Sequence, residues 1–218
     1  MKSYFISYSN EKYKQKQINL YNITNGIFDK SIMYGPEDLD AYFKEKNRGI
    51  LEQERGAGYW IWKPYIILKT LEIMENGDYL TYLDCGDIID PVPFKQLMEN
   101  ELLKYNDIIL TLGGFKESDW TKRQCFIEMG MDMAQYWNQT QIEAGCITVK
   151  KSDESIRIIR EWQELCLDPM LVTDMPSPSE NFPDFKEHRH DQSILSLLGA
   201  KYNILKTDQV RRMVICNV

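Results

Sequence analysis

The stretch that most constrains this chain runs from Gly77 to Asp90. It opens on a turn signal, Asn76-Gly77-Asp78, and continues as Tyr79-Leu80-Thr81-Tyr82-Leu83. Aromatic, branched and aliphatic residues in such a run read as a buried strand. Where that strand should end come Asp84-Cys85-Gly86-Asp87, two carboxylates three residues apart. A core strand has no use for acids at its end, whereas a site for a divalent cation or a phosphorylated ligand does. In open α/β sheets such sites lie just past the carboxyl ends of strands. The competing reading is a solvated turn whose acids cap backbone amides.

The rest of the chain alternates strand-like and helix-like segments. Tyr4 to Tyr8 reads as a first strand, and Gln17 to Ile23 alternates with period two and predicts a half-exposed strand. Gly35-Pro36-Glu37-Asp38 predicts a helix start reaching about Lys46. Gly56-Ala57-Gly58 reads as a flexible loop leading into Tyr59-Trp60-Ile61-Trp62-Lys63-Pro64, with helical spacing from Pro64 to Glu75. A helix is expected over 91–104, a strand over 107–112 closed by Gly113-Gly114, and a methionine-rich helix over 127–136. Gly145 to Val149 reads as a strand, and Ser152 as the cap of a helix ending near Leu165. Residues 168–185 hold four prolines and little periodicity, the mark of a functional or mobile loop. Asp191 is placed to cap a short helix stopped by Gly199, and Tyr202 to Leu205 reads as a last strand. The alternation predicts one α/β domain over 1–218, a sheet flanked by helices on both faces.

Composition excludes several classes. The net charge of −7 argues against a nucleic-acid partner, which would want a basic face. No segment approaches ~18 uninterrupted apolar residues, so no transmembrane segment is expected, and a soluble, cytoplasmic or membrane-peripheral protein follows. The cysteines (85, 125, 146, 166 and 216) are odd in number and form no Cys-x-x-Cys pair. Buried free thiols in a reducing compartment are expected. Thirteen tyrosines and five tryptophans exceed what a core alone needs, and aromatic faces also bind sugars and bases.

Three clusters carry chemistry. Asp84 and Asp87 suit Mg²⁺ or Mn²⁺, which take hard oxygen ligands and leave positions for phosphates. Lys63 at a helix entrance would join the helix dipole in attracting an anion. His188-Arg189-His190-Asp191-Gln192 holds the only two histidines, and His-x-His is a possible metal pair. No Gly-x-Ser-x-Gly elbow, Walker loop or full Gly-x-Gly-x-x-Gly is present. An Asp-x-Asp phosphatase of the haloacid dehalogenase kind wants its acids near the first strand, unlike this mid-chain pair.

Taken together these blocks resemble a GT-A-fold glycosyltransferase over about residues 4–205. Leu80 to Asp87 resembles the strand and Asp-x-Asp element of that fold. Glu143-Ala144-Gly145-Cys146-Ile147 resembles the Asn-Ala-Gly strand of the galactosyltransferase-like family 8 enzymes, and His190-Asp191-Gln192-Ser193-Ile194-Leu195 their Asp-Gln helix start. Gly58 to Pro64 is similar to a block in small bacterial-capsule and virus-encoded sugar transferases. The pattern departs at Gly86, which fills the third Asp-x-Asp position, at Glu143, which replaces asparagine, and after His190, where no C-terminal metal histidine follows.

The resemblance implies a Rossmann-like single domain with a central mixed, mostly parallel sheet. It implies a UDP-sugar donor, Mn²⁺ or Mg²⁺, and a glycan or glycoprotein acceptor. Ser7 and Tyr8 would meet uracil and ribose; Arg55 and Lys63 the phosphates or donor sugar; Ala144 and Gly145 would let the backbone approach the sugar. Asp84 and Asp87 would hold ribose and metal, with His190 a further candidate ligand. Asp191 would bind sugar hydroxyls and Gln192 would sit near the anomeric carbon, which fits a retaining enzyme. An inverting one would need Asp191 or Glu143 as base. The loop 168–186 is a candidate acceptor site or lid. The rival readings are a non-catalytic sugar- or nucleotide-binding relic and a Zn-dependent hydrolase using His188 and His190.

Overall fold

The computed structural model describes residues 1–215; the expected free thiol at Cys216 lies outside the described residues. The strands are β1 (Ser3–Tyr8), β2 (Lys30–Tyr34), β3 (Tyr79–Leu83), β4 (Ile88–Ile89), β5 (Ile108–Lys116), β6 (Thr140–Lys150), β7 (Leu205–Thr207) and β8 (Val214–Ile215). Six of them form one sheet in the order β2-β1-β3-β6-β5-β7. β1 pairs parallel with β2 and β3, and β5 parallel with β7, while β6 runs antiparallel to both its neighbours. The sheet is therefore mixed and mostly parallel, as the resemblance implied. β4 and β8 make a separate two-stranded ribbon.

Side-chain alternation divides the core. Tyr4 and Ile6 of β1 and Leu80 and Tyr82 of β3 point into one layer, with the helices Trp62–Ile73, Asp153–Cys166 and His190–Lys201. Phe5, Tyr79 and Leu83 point into the other, against Phe28, Phe94 and Met98. All five residues of β3 are buried, which is why its sequence reads as a continuous apolar run rather than an alternation. Thr81 escapes the cost of burial by bonding Thr148 across the sheet at 3.0 Å.

Several expectations are corrected. Residues 17–23 are not a strand but part of the helix Lys14–Thr24. Its buried positions are Gln17, Leu20 and Thr24, a helical spacing hidden because two of the three are polar. Gln17 is tolerated there because its amide donates to Ser7 O and Tyr34 O and accepts from Ser9. The helix after Gly35 splits into a 3₁₀ turn, Pro36–Asp38, and the helix Ala41–Lys46, capped by Asp40. The expected helix over 91–104 also divides, into Pro91–Asn100 and a 3₁₀ turn at Leu102–Lys104. The methionine-rich segment is helical only at Arg123–Glu128 and Ala134–Trp137. β5 runs through Gly113 and Gly114 instead of stopping there; a Cβ at Gly113 would lie 2.2 Å from Gln141 O of the neighbouring strand. The proline-rich segment contains a turn of helix at Pro169–Val172. The last strand starts at Leu205, because the preceding helix continues through Gly199 to Lys201.

Candidate active site

The carboxyl ends of β1 and β3 open into a cavity of about 350 Å³ lined by Tyr8, Asn10, Tyr13, Trp60, Trp62, Tyr82, Asp84, Cys85 and Asp87, among others. The acids lie where the strand-end argument placed them. Their geometry is set by β6. A Cβ built on Gly145 would lie 3.0 Å from Asp87 Oδ2 and 3.5 Å from Asp84 Oδ2. Both carboxylates therefore converge on the space that glycine leaves open. Asp84 N donates to Gly145 O at 2.8 Å, and Asp87 N donates back to Asp84 O at 3.0 Å, which holds the turn under that space.

The other oxygen of Asp84 is occupied. Tyr82 donates its hydroxyl to Asp84 Oδ1, and burial holds that phenol in its neutral, donating form. Lys63 Nζ stands 3.5 Å from the same oxygen, 3.2 Å from Asp191 Oδ2, and donates to Ala144 O at 3.0 Å. Lys63 is 2% exposed and lies in the first turn of the Trp62–Ile73 helix, the end where the dipole repels a cation. Burial alone would depress its pKa, but Asp191 and Asp84 outweigh it and hold it above the usual lysine value. Asp191, also buried, is pushed up to about 6 by burial, against the pull of Lys63. Lys63 is thus the shared counter-ion of two acids, its contacts turned inward.

The glycine loop takes up a specific backbone conformation. Gly56, Ala57, Gly58, Tyr59 and Trp60 all have positive φ, between 50° and 96°, with Ala57 at φ 50°, ψ 51°. This is one turn of left-handed helix. Each non-glycine residue in it costs about 1–2 kcal/mol. Compensation comes from packing. Trp60 lies on Gly56 so closely that a Cβ there would be 2.3 Å from the indole, and Trp62 Nε1 donates to Gly56 O at 3.0 Å. Trp62 stacks on Tyr8 with centroids 3.8 Å apart and planes 15° from parallel. Strain over-determined in this way collects at functional sites.

The remaining candidates are distributed unevenly. Ser7 is buried within β1 and does not line the cavity, whereas Tyr8 does. Arg55 turns away to Asp174 and Glu187, at 3.4 and 3.3 Å. Asp191 does not cap its helix; it lies inside the first turn of His190–Lys201 and spends its charge on Lys63. Gln192 Oε1 accepts from Ala144 N at 3.1 Å. Glu143 pairs with Arg211.

His190 does not join Asp84 and Asp87 in a metal shell. It bonds Val172 O through Nδ1 at 2.8 Å and lies against the Tyr59 and Trp60 rings. His188 bonds Leu171 O through Nε2 at 2.7 Å. The two imidazoles thus anchor the Leu171–Val172 turn rather than face a common ion. No group of three or more His, Cys, Asp and Glu side chains placed to hold a metal occurs among the described residues. Two carboxylates still suit a cation that completes its shell with water and phosphate oxygens.

Four residues join the cavity that the sequence signals do not single out as site residues. Tyr82 has the sequence signature of a core residue of β3. Trp60 and Trp62 both line the cavity as well as packing against its walls. Asn10 carries a buried Oδ1 with no hydrogen-bond partner among the described residues, an acceptor that a ligand donor would satisfy. Its only sequence signal is its place two residues past a strand end. The described cysteines are free thiols; Cys85, at the cavity, is pushed up to about 11 by burial and by Asp84.

No known family model and no curated protein matches the chain. Among solved structures it is similar to a glycosyltransferase involved in the glycosylation of the major capsid of PBCV-1. The identity is 15%, over 76% of this chain and 67% of that one, with a TM-score of 0.45. It is similar to mouse xyloside xylosyltransferase 1 in its apo form, at 12% identity over 94% and 71% of the two chains, TM-score 0.46. A third is the galactosyltransferase LgtC with donor and acceptor sugar analogues, at 12% identity over 77% and 62%, TM-score 0.37. These likenesses are distant.

Proposed function

We propose that this chain is a metal-dependent glycosyltransferase that moves a sugar from a nucleotide diphosphate to a glycan or glycoprotein. UDP is the nucleotide that the sequence resemblance implies. One observation carries the reading: oxygens of two carboxylates that line an aromatic-walled cavity at the strand ends meet over Gly145. That combination suits a ligand with a planar base at one end and a diphosphate at the other.

Asp84 Oδ2 and Asp87 would hold Mn²⁺ or Mg²⁺. The space over Gly145 supports the fit, because any larger residue would fill it. When bound, the cation neutralises charge growing on the departing diphosphate. The chain's own residues do the rest. Tyr82 and Lys63 hold Asp84 Oδ1, so Oδ2 is the oxygen turned to the Gly145 space. Lys63 also offsets the charge of Asp191, keeping that buried acid and the half-buried Asp84 from repelling each other. Tyr8, Trp60 and Trp62 exclude water and offer ring faces to the base. Gln192, beside the Ala144 backbone, offers an amide rather than a strong carboxylate nucleophile, which favours retention.

Incubation with UDP-glucose, UDP-galactose and UDP-xylose plus Mn²⁺ tests the reading. Slow release of UDP from at least one donor is expected, and Asp84→Ala should abolish it. A second reading, a binding relic without turnover, draws on the lack of a third acidic or imidazole ligand among the described residues. Nucleotide binding without donor hydrolysis would select it.

A further inference from the structure

The left-handed turn Gly56–Trp60 borders two cavities. Gly56, Ala57 and Trp60 line the one at the strand ends, whereas Tyr59 lines a second, of about 470 Å³. Among the described residues none lines both. The second cavity lies between Asn47 with the helix that follows it, Arg48–Leu51, and the segment from Pro169 to Met175. Its far wall is fastened at three successive carbonyls. Leu171 O accepts from His188, Val172 O from His190, and Thr173 O from Lys122 Nζ at 2.8 Å. His190 also packs on the Tyr59 ring, with centroids 4.8 Å apart, so one imidazole ties that wall to the turn. The cavity is therefore formed in the absence of a ligand, and its volume falls within the ~300–1,000 Å³ of small-molecule sites.

The lining narrows what such a ligand can be. Lys46 is its one charged side chain among the described residues. No carboxylate is there to hold a cation, and a single lysine is a poor match for a diphosphate. A wholly apolar ligand fits no better. Tyr59 and Asn47 are each 9% exposed, yet the Tyr59 hydroxyl and Asn47 Oδ1 have no hydrogen-bond partner among the described residues. The Asn47 amide nitrogen is committed to Phe43 O at 2.8 Å, so Asn47 offers an acceptor. Tyr59 offers a donor and an acceptor on one atom. An apolar ligand would leave both groups unpaired, at a cost in affinity. Ile50, Leu167 and Met175 supply apolar surface around them. Tyr59 is moreover held at φ 51°, a strained position of the kind that collects at ligand sites. Hydroxyls that both donate and accept, on a skeleton with apolar C–H faces, match this lining.

We propose that the second cavity binds a neutral saccharide, with Tyr59 and Asn47 as its polar anchors. The assignment stands without the transferase reading. Its role rests on that reading: the occupant is then a part of the acceptor glycan that does not itself react.

Saturation-transfer NMR with methyl glucoside, methyl galactoside, methyl xyloside and lactose, each at up to about 10 mM, tests the assignment down to affinities of about 1 mM. At least one saccharide should bind wild type and stay bound when UDP and Mn²⁺ are added in excess. Tyr59→Phe, which removes only the hydroxyl, should weaken that binding about fivefold. Gly49→Phe is a second variant that leaves the turn alone. Gly49 lines the cavity, has no positive φ, and a Cβ there meets nothing within 4 Å, so the ring enters open space. It should abolish saccharide binding with a melting temperature close to wild type. No binding by any of the four saccharides, displacement by UDP, or unchanged affinity in either folded variant would overturn the proposal. Saccharide binding by a chain that takes no UDP would sink the transferase reading and leave the site in place.

Discussion

At Gly145 one carbon atom decides the site. Gly145→Ala adds a Cβ 3.0 Å from Asp87 Oδ2 and 3.5 Å from Asp84 Oδ2, in the space where the two acids converge. The backbone there needs no positive φ, so the variant should fold with a melting temperature close to wild type. Metal-dependent nucleotide affinity should fall more than about tenfold, or 1.4 kcal/mol, in a calorimetric titration. Unchanged affinity would show that the cation sits elsewhere. Tyr82 teaches a related lesson. Its ring belongs to the core and its hydroxyl to Asp84, so a residue that reads as packing also fixes which oxygen of the acid is left for a ligand. Lys63 is the reverse case. It reads as an exposed phosphate ligand, but it is buried between two acids, a placement that only the tertiary structure reveals.

The left-handed turn from Gly56 to Trp60 is the element with the most stored strain. Gly58 has φ 96°, and a Cβ there would come within 2.7 Å of Leu51 Cα. Gly58→Ala should therefore destabilise the fold by at least about 1–2 kcal/mol in urea unfolding. It should also weaken nucleotide binding, because Trp60 and Trp62 leave their stacked positions. A fully stable variant would contradict the account of the turn. The neighbouring imidazole gives a pH test. Burial lowers the His190 pKa from 6.5 to about 4. The unfolded chain then takes up the proton first, so the stability His190 contributes is intact above pH 6.5 and lost as pH falls toward 4. Asp191, raised from 3.8 to about 6, acts with the opposite sign over much of that window. The histidine is isolated by comparison: His190→Gln should lose less stability than wild type between pH 7 and pH 5. Equal losses would place the His190 proton elsewhere.

For the whole molecule, the sequence was informative where a signal was local and apolar. β1, β3 and the Ser152-capped helix fall close to where periodicity and capping put them. The acids at the end of β3 reach the sheet edge, as the strand-end rule requires. What was illegible depended on partners far away in the chain. Gln17 looks like a surface residue until Ser7, Ser9 and Tyr34 bond its amide, and so its helix passed for a strand. Gly56 and Gly58 signal freedom, but five successive left-handed residues appear only once Trp60 and Trp62 are packed. His188 and His190 look like a metal pair in sequence and serve instead to fasten Leu171 and Val172. The central claim is that Asp84 and Asp87 present a cation to a nucleotide diphosphate in the strand-end cavity. Calorimetric titration of wild type with UDP, with and without Mn²⁺, tests it most directly. Binding that requires Mn²⁺ and vanishes in Asp84→Ala is predicted; UDP affinity that is absent, or identical without the metal, would contradict it.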